Sequence, residues 1–344
     1  MNVHFITPPP VERTGGLDAA IDALRAALRT AGTAVDEVLP NATRSEDVVH
    51  FHALWEPDHA RLSRICLKRN LPYVVSPHGM LEPWAWRQKR WKKWPYFHLV
   101  EKRHLQGAAA ILATSEMEAQ RLRTMLPGTR VEPLPLGLTS DARPNFEHAR
   151  EKLGWRPDER VLLFLSRLHE KKGVDLLLHA LAENSAPRNT RLVIVGGGDA
   201  PFVEKIRALA ENLAPRLPRV DWIGEVWGEE RWKYFQGADL FCLPTHSENF
   251  GLAVLEACQV GTPALTTRAT PWGGWLGEER GFICDPTVPS VQQALASYFS
   301  GGPVTLEARD RLSGWAHGQF SWKALTPRYL SLYRSALQTR RSDR

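Results

Sequence analysis

LPTHSENFGLAVLEA, residues 243–257, joins an apolar strand-like segment to a helix-like one through a short polar loop. A strand is predicted to end at about Leu243, and helical spacing of apolar residues begins near Gly251. Ligands of open α/β sheets bind beyond the carboxyl ends of the strands, so this loop is expected at a ligand site. The backbone N–H groups of Phe250, Gly251 and Leu252 would then be the open donors of a helix start, which attracts an anion such as pyrophosphate.

Two carboxylates flank that helix start, Glu248 on the loop and Glu256 about one and a half turns into the helix. Carboxylates accept paired hydrogen bonds from vicinal hydroxyls, so one is suited to the sugar and the other to the ribose of a nucleotide sugar. The plainer alternative is a helix cap followed by a solvated helix residue. The strand, loop and helix start around the pair favour the functional interpretation.

A second motif, FLSRLHEKKGVDLLLHAL at residues 164–181, places two cations after another predicted strand end. Arg167 follows the strand, and Lys172 lies on the same loop. A departing diphosphate needs fixed positive charge, which these side chains supply. Either residue alone would be interpreted as an exposed surface cation.

The whole chain alternates short β-rich runs with longer amphipathic ones, the pattern of parallel sheets with crossover helices. Its 344 residues suit two domains better than one. Prolines and a glycine between 131 and 144 mark the junction, and helical spacing over 321–337 predicts a last helix. We expect α/β domains at 1–138 and 139–320, with the segment 321–344 packing back on the first domain.

The predicted strands are 3–7, 47–51, 72–76, 109–113, 161–166, 191–195, 219–223, 239–243 and 262–266. The predicted helices are 17–31, 57–69, 115–126, 174–183, 201–213, 229–236 and 251–260.

Together these motifs resemble the retaining glycosyltransferases of family 4, whose fold is GT-B, two Rossmann-like domains facing across a cleft. Glu248 and Glu256 match the E-x7-E signature of that family, and Arg167 and Lys172 match its diphosphate-binding cations. The resemblance implies sugar transfer with retention from a UDP- or GDP-sugar to a saccharide acceptor. It implies a front-face reaction without an enzyme nucleophile, and neither a metal nor a further cofactor is expected.

Other residues take their roles from the resemblance alone. In SPHGML, residues 76–81, His78 matches a histidine near the donor sugar, and it joins Glu248, Lys172 and Arg167 as a candidate catalytic residue. The glycine turn LVIVGGGD (192–199) resembles the lining of the donor site, and VDWIGEV (220–226) resembles the loop that holds the base. An early glycine pair resembles the loop that approaches the diphosphate. The donor-binding set implied is Gly15, Gly16, Gly197, Gly224, Val226, Asn249, Phe250, Gly251, Leu252 and Glu256.

The acceptor side is less defined. His52 and Trp55 are acceptor candidates, and His50 shares a strand face with His52 but lacks a third ligand for a metal site. TTRATPW, residues 266–272, resembles family members that build bacterial surface polysaccharides such as lipopolysaccharide, so a lipid-linked saccharide is the expected acceptor. The linker PLPLGL departs from the family's Pro-Asn-Gly, with Leu136 in the Asn position.

A basic, tryptophan-rich stretch, residues 83–104, reads PWAWRQKRWKKWPYFHLVEKRH. Interleaved tryptophans and cations suit the headgroup zone of an anionic membrane. A solvated helix with inward-facing tryptophans is the alternative, and no recognisable motif supports RNA binding. An anionic membrane surface is therefore an expected partner, and a nucleic acid is not.

The amino-acid composition limits the classes of protein to which the chain can belong. The chain has 43% hydrophobic and 24% charged residues and a net charge of +6. Neither a secretory signal nor a membrane span is expected from its sequence. Four dispersed cysteines make no CxxC pair, which favours reduced thiols in the cytoplasm. A cytoplasmic enzyme is expected, with peripheral association at the inner face of the plasma membrane.

Two rival functions remain open at this point. A nucleotide-sugar epimerase of the same fold would act on the donor without an acceptor. A non-catalytic sugar- or lipid-binding relative would keep the fold without turnover. A nicotinamide-dependent dehydrogenase is disfavoured because the triple glycine lacks the G-x-G-x-x-G spacing.

Overall fold

A computed structural model describes residues 1–8, 16–40, 44–183 and 186–342, without the side chains of 278, 279 and 340–342. Its contacts divide the chain into two compact units. The first unit comprises Met1–Thr139 with Gln319–Arg344, and the second comprises Ser140–Gly318. Gly15, one of the predicted donor-binding residues, lies outside the described residues.

Six strands form the first unit's sheet, namely β1 (Asn2–Ile6), β2 (Ala34–Asp36), β3 (Asp47–His52), β4 (Tyr73–Ser76), β5 (Ala110–Ala113) and β6 (Val131–Pro133). They pair in parallel in the order β2-β1-β3-β4-β5-β6. Every residue of β3, β4 and β5 is buried, as expected for central strands covered on both faces. The helices are α1 (Gly16–Thr30), α2 (Pro57–Lys68), α3 (Pro83–Arg87), α4 (Arg90–Tyr96), a π-helical turn (Phe97–Glu101), α5 (Lys102–Gln106) and α6 (Glu116–Met125).

The second unit has another six-stranded parallel sheet, made of β7 (Arg160–Leu165), β8 (Thr190–Val195), β9 (Arg219–Gly224), β10 (Leu240–Leu243), β11 (Ala264–Thr267) and β12 (Gly281–Cys284). Their order is β12-β11-β10-β7-β8-β9, so the chain's strand order reverses between β7 and β10. Such a switch point leaves a crevice at the carboxyl ends of the two strands. The helices are α7 (Phe146–Leu153), α8 (Val174–Ala182), α9 (Ala200–Leu213), α10 (Glu230–Gly237), α11 (Leu252–Gln259), α12 (Trp272–Arg280), α13 (Val288–Ser300) and α14 (Leu306–Phe320).

The last helix, α15 (Trp322–Ser342), belongs to the first unit. Leu325, Tyr329 and Tyr333 are buried in the same core cluster as Val3 and Val74 of the first sheet. This apolar spacing along α15 explains why the helix packs there, since burial of such side chains stabilises by about 1.5–3 kcal/mol each.

The α/β fold class is confirmed, and nine strands lie within two residues of their predicted bounds. Three strands were missed. β2 has only three residues, and β12 is a short GFIC segment with no alternation. β6 lies inside the predicted junction 131–144, so that junction begins too early. Pro133 misled the prediction because proline is tolerated on an edge strand.

Buried imidazoles make the first unit sensitive to acid. Burial lowers the pKa of His59 to about 4 and the pKa of His104 to about 3, and it lowers the pKa values of His50 and His52 well below their usual range. At pH values between these lowered pKa values and about 6.5, the unfolded chain binds more protons than the folded chain. The free energy of unfolding therefore falls as the pH falls. Burial raises the pKa of Glu101 to about 7, and this one carboxyl acts in the opposite direction.

We therefore expect the free energy of unfolding of the first unit to decrease between pH 7.5 and 5, by about 2 kcal/mol for a histidine such as His59. Urea unfolding at the two pH values measures it. The His104→Phe variant should show a smaller decrease, because phenylalanine keeps the stack on Tyr73 and removes one titrating group. Equal unfolding midpoints at both pH values would contradict the expectation.

Candidate functional site

Two loops meet at the switch point of the second unit, the one after β7 (residues 166–173) and the one after β10 (residues 244–251). The His246 N–H and the Thr245 hydroxyl each donate to the Lys171 carbonyl oxygen at 2.8 Å. Gly173 has a φ of +70°, and a Cβ there would collide with the Pro244 carbonyl. Because only glycine tolerates this approach, the sequence itself holds the two loops against each other.

An ion pair joins these loops. Lys172 Nζ donates to Glu248 Oε1, although the two residues are 76 positions apart in the chain. The Glu248 side chain is 10% exposed and the Lys172 side chain 18% exposed. This charge-assisted hydrogen bond holds both groups in one place. The structure thus brings together two residues that the sequence predicted only on separate motifs.

Arg167 extends the positive charge of the same site. Its side chain is exposed, and it forms no ion pair within the described part of the chain. Lys171, which sequence reasoning missed, is a third cation. Burial, together with Lys172 and Arg167, lowers the pKa of Lys171 against the opposing effect of Glu248. The loop after β7 therefore offers concentrated positive charge beside a fixed carboxylate.

The helix after the second loop begins later than predicted. Leu252 is the first residue of α11, Gly251 is its N-cap, and Phe250 precedes the helix. The Phe250 ring is buried against Trp272, whose Nε1 donates to the Phe250 carbonyl oxygen at 2.5 Å. The helix start thus presents the N–H groups of Leu252 and Ala253, since those of Val254 and Leu255 donate to the Gly251 carbonyl oxygen, while the Phe250 side chain serves packing.

Glu256 has a partner that the sequence did not reveal. Arg231, on α10, donates to Glu256 Oε1 at 2.9 Å, and its guanidinium lies 4.9 Å from the centre of the Trp232 ring. The ion pair fixes the carboxylate on the second turn of α11. No spacing signal links the two residues, because the contact depends on how α10 packs beside α11.

The glycine turn after β8 lies against both neighbouring loops. Gly196 has a φ of +140°, and a Cβ there would collide with the Ser166 carbonyl. The Leu168 N–H donates to the Gly197 carbonyl oxygen at 2.6 Å, and the Gly196 N–H donates to the Gly224 carbonyl oxygen at 2.7 Å. Gly197 follows β8, Gly224 ends β9 and Val226 follows it, so these predicted donor residues lie at the carboxyl ends of adjacent strands, beside the loop that carries Arg167.

In the first unit, His52 and His78 lie at the carboxyl ends of β3 and β4. His52 Nδ1 is 3.1 Å from His78 Nε2, and the two rings are stacked. Burial lowers the pKa of His78 to about 4, so its imidazole is neutral at pH 7. His78 has a φ of +50°, a left-handed conformation that is rare outside glycine and is found at functional sites.

Trp55 and Gly16 have separate surroundings. The Trp55 N–H donates to Glu101 Oε1 at 2.9 Å, and its half-buried ring lies 5.5 Å from Lys93 Nζ. Gly16 is the exposed first residue of α1. Hydrogen bonds join both ring nitrogens of His50 to Tyr333 and Ser76, so a metal pair of His50 with His52 has no free ligand atom on His50.

Two further searches cover only the described residues. No cluster of three or more His, Cys, Asp or Glu side chains there has the arrangement of a metal site. No helix there combines the length and apolarity that a bilayer crossing requires.

Comparison with known families matches each unit separately. Residues 3–137 match the model of the glycosyl transferase 4-like domain, and residues 145–313 match the model of glycosyl transferases group 1. Together the two matches span most of both units.

Individual relatives agree with those matches. A D-inositol 3-phosphate glycosyltransferase of Segniliparus rotundus is 35% identical over 195 residues, which are 55% of this chain and 43% of that protein, so the match spans less than half of the relative's length. Among solved structures, sucrose-phosphate synthase from Thermosynechococcus elongatus superposes with a TM-score of 0.79 at 18% identity, over 98% of this chain and all of that one. Anabaena Alr3699/HepE in complex with UDP superposes with a TM-score of 0.74 at 15% identity, over 97% of this chain and all of that one.

Proposed function

Because both of its units match glycosyltransferase models, the chain belongs to the glycosyltransferases of the GT-B fold, and we propose that it transfers a sugar from a nucleotide-sugar donor to a saccharide acceptor with retention of configuration. The observation that carries this proposal is the Lys172–Glu248 pair at the switch point of the second unit. It joins a cation suited to a diphosphate with a carboxylate suited to sugar hydroxyls.

In the proposed reaction, the bond between the anomeric carbon and the diphosphate oxygen breaks on the face at which the acceptor oxygen bonds. The acceptor's hydroxyl proton passes to an oxygen of the leaving phosphate, so no enzyme nucleophile is needed. Arg167 and Lys172 stabilise the negative charge of the departing diphosphate, and the first turn of α11 adds its N–H groups. This chemistry is positioning and charge stabilisation, which enzymes supply through fixed polar groups.

The remaining groups bind the donor. Glu248 accepts hydrogen bonds from the sugar, and Glu256, fixed by Arg231, accepts them from the ribose hydroxyls. His78 is a neutral hydrogen-bond partner for a sugar hydroxyl, since burial keeps its imidazole uncharged. The backbone near Gly197, Gly224, Val226, Asn249 and Gly251 completes the proposed donor site. The UDP complex of the Anabaena relative supports a nucleotide-sugar donor of this kind.

We propose a lipid-linked saccharide as the acceptor, in the biosynthesis of a bacterial surface polysaccharide such as lipopolysaccharide at the inner face of the plasma membrane. Support comes from the TTRATPW motif and from the cationic stretch 83–104, in which Trp91 and Trp94 are 75% and 52% exposed. Exposed tryptophans beside cations bind anionic membrane surfaces. His52 and Trp55 are the proposed acceptor-side residues.

We expect activity to persist in excess EDTA. Fixed cations at 167, 171 and 172 supply the positive charge that a metal supplies in other transferases. Initial transfer rates with EDTA and with added Mn²⁺ measure this. Full loss of activity in EDTA with recovery in Mn²⁺ would contradict the proposed metal independence.

Incubation with the nucleotide sugar alone separates the proposed transferase from the two rivals. A transferase gives product only when acceptor is present, apart from slow hydrolysis of the donor. Conversion to an epimeric nucleotide sugar without acceptor would support the epimerase. Binding with no hydrolysis or transfer would support a non-catalytic relative.

A further inference from the structure

A cavity of about 650 Å³ opens in the first unit beside the basic stretch 83–104, between α3, the π-helical turn and α6. This volume is within the range of small-molecule sites, about 300–1,000 Å³. Its wall is mainly apolar. The large apolar side chains that line it are Leu81, Trp86, Trp94, Phe97 and Met125.

Charge at the cavity comes from two arginines. Arg121 is bonded to the buried carboxylate of Glu82, so its charge is compensated. Arg90 forms no ion pair with any residue that the structure describes. Arg90 also lines an adjoining concavity with Arg87 and Lys89, so the mouth of the apolar cavity is cationic.

The residues around the cavity are likewise both apolar and cationic. Residues 83–104 contain seven lysines and arginines against one acidic residue, Glu101, which is fully buried. Trp91 and Leu99 are 75% and 69% exposed in the same stretch. Large exposed apolar groups beside unpaired cations mark a binding surface for a ligand that is apolar at one end and anionic at the other.

We propose that this cavity binds the hydrocarbon chain of a lipid-phosphate-linked acceptor, with Arg90 contacting the phosphate. The inference rests on the proposed function because it identifies the lipid as part of the acceptor. Polar side chains also line the cavity, namely Arg90, His98, Gln120, Arg121 and Thr124. Its accessible wall is nevertheless mainly apolar, which favours a hydrocarbon chain over a saccharide. A bilayer surface needs only exposed rings, whereas the open cavity here provides several apolar side chains against which a single hydrocarbon chain can lie.

Isothermal titration of the full chain with dodecyl phosphate, kept below its micelle-forming concentration, tests the proposal. Thr124→Glu introduces a carboxylate at an exposed position of the cavity wall, and Trp94→Ser removes a ring from it. Each is expected to weaken binding by about tenfold or more, which corresponds to about 1.4 kcal/mol. Trp91→Ser is the matched control, because Trp91 is more exposed and does not line this cavity.

The role of the phosphate is measured with Arg90→Gln. This variant is expected to bind dodecyl phosphate several-fold more weakly while its affinity for dodecyl maltoside, which has the same chain and no charge, stays unchanged. Equal affinity of the wild type, Thr124→Glu and Trp94→Ser for dodecyl phosphate would overturn the proposal. A second outcome would also overturn it. In that outcome the protein binds phosphatidylglycerol vesicles but not dodecyl phosphate, and Trp91→Ser and Trp94→Ser impair vesicle binding equally. The surface would then bind a bilayer.

Nucleoside diphosphate binding, measured in the same samples, keeps the two proposals distinguishable. It should be unchanged in Thr124→Glu and Trp94→Ser, and wild-type midpoints in urea unfolding should show that their first unit is folded. If the wild type binds dodecyl phosphate but no nucleoside diphosphate, the proposed transferase fails and the chain-binding cavity remains.

Discussion

Replacing Lys172 with alanine is expected to lower kcat by about 10²–10³-fold, the usual result of removing one preorganised group that stabilises transition-state charge. The diphosphate gains charge as it departs, so the loss should appear in kcat more than in the KM for the donor. The protein should remain folded, because the Thr245 hydroxyl and the His246 N–H both donate to the Lys171 carbonyl oxygen and hold the loop without the Lys172 side chain. Steady-state kinetics with varied donor measures both parameters.

Lys205→Ala is the matched control, since Lys205 is an exposed lysine on α9 that lines none of the donor site. It should retain wild-type rates. A Lys172→Ala enzyme with near-wild-type kcat would remove Lys172 from the reaction, and with it the main reason for placing the diphosphate at this switch point.

Replacing Glu248 with alanine should have a comparable effect, a loss of about 10²–10³-fold in kcat/KM. The substitution removes the carboxylate proposed to bind the sugar and also leaves Lys172 without its partner. Glu256→Ala differs, because its carboxylate is proposed to bind the ribose, away from the reacting carbon. Glu256→Ala should therefore mainly weaken donor and nucleoside diphosphate binding.

A double-mutant cycle tests whether Lys172 and Glu248 act as a unit. Residues in direct contact usually show non-additive effects, so the double variant should be little worse than the worse single variant. Glu204→Ala on the exposed face of α9 is the matched control for the carboxylates. Fully additive losses, or a Glu248→Ala enzyme close to the wild type, would separate Glu248 from the reaction.

The position of Glu248 and Lys172 could be predicted because each follows a strand end that the sequence marks clearly. Their contact could not be predicted, because it depends on β7 lying next to β10. Local periodicity does not indicate the order of strands in a sheet. The Arg231–Glu256 pair was missed for a similar reason, since it requires the packing of α10 beside α11.

The protonation states of buried groups and the shortest strands could not be predicted from the sequence either. The neutral imidazole of His78 follows from burial, which lowers its pKa and which only the folded chain creates. The short edge strands β2 and β6 lack enough residues for a periodic signal. Long amphipathic helices such as α1 and α9, by contrast, differ from prediction by one residue at most at each end.

Titration calorimetry with UDP, GDP and ADP, on the wild type and on Lys172→Ala, tests most directly whether the second unit holds a nucleotide-sugar site. The account predicts that at least one of these diphosphates binds the wild type and that the same ligand binds Lys172→Ala at least tenfold more weakly, or about 1.4 kcal/mol. Binding that is identical in the two proteins, or no binding of any of the three to the wild type, would contradict it.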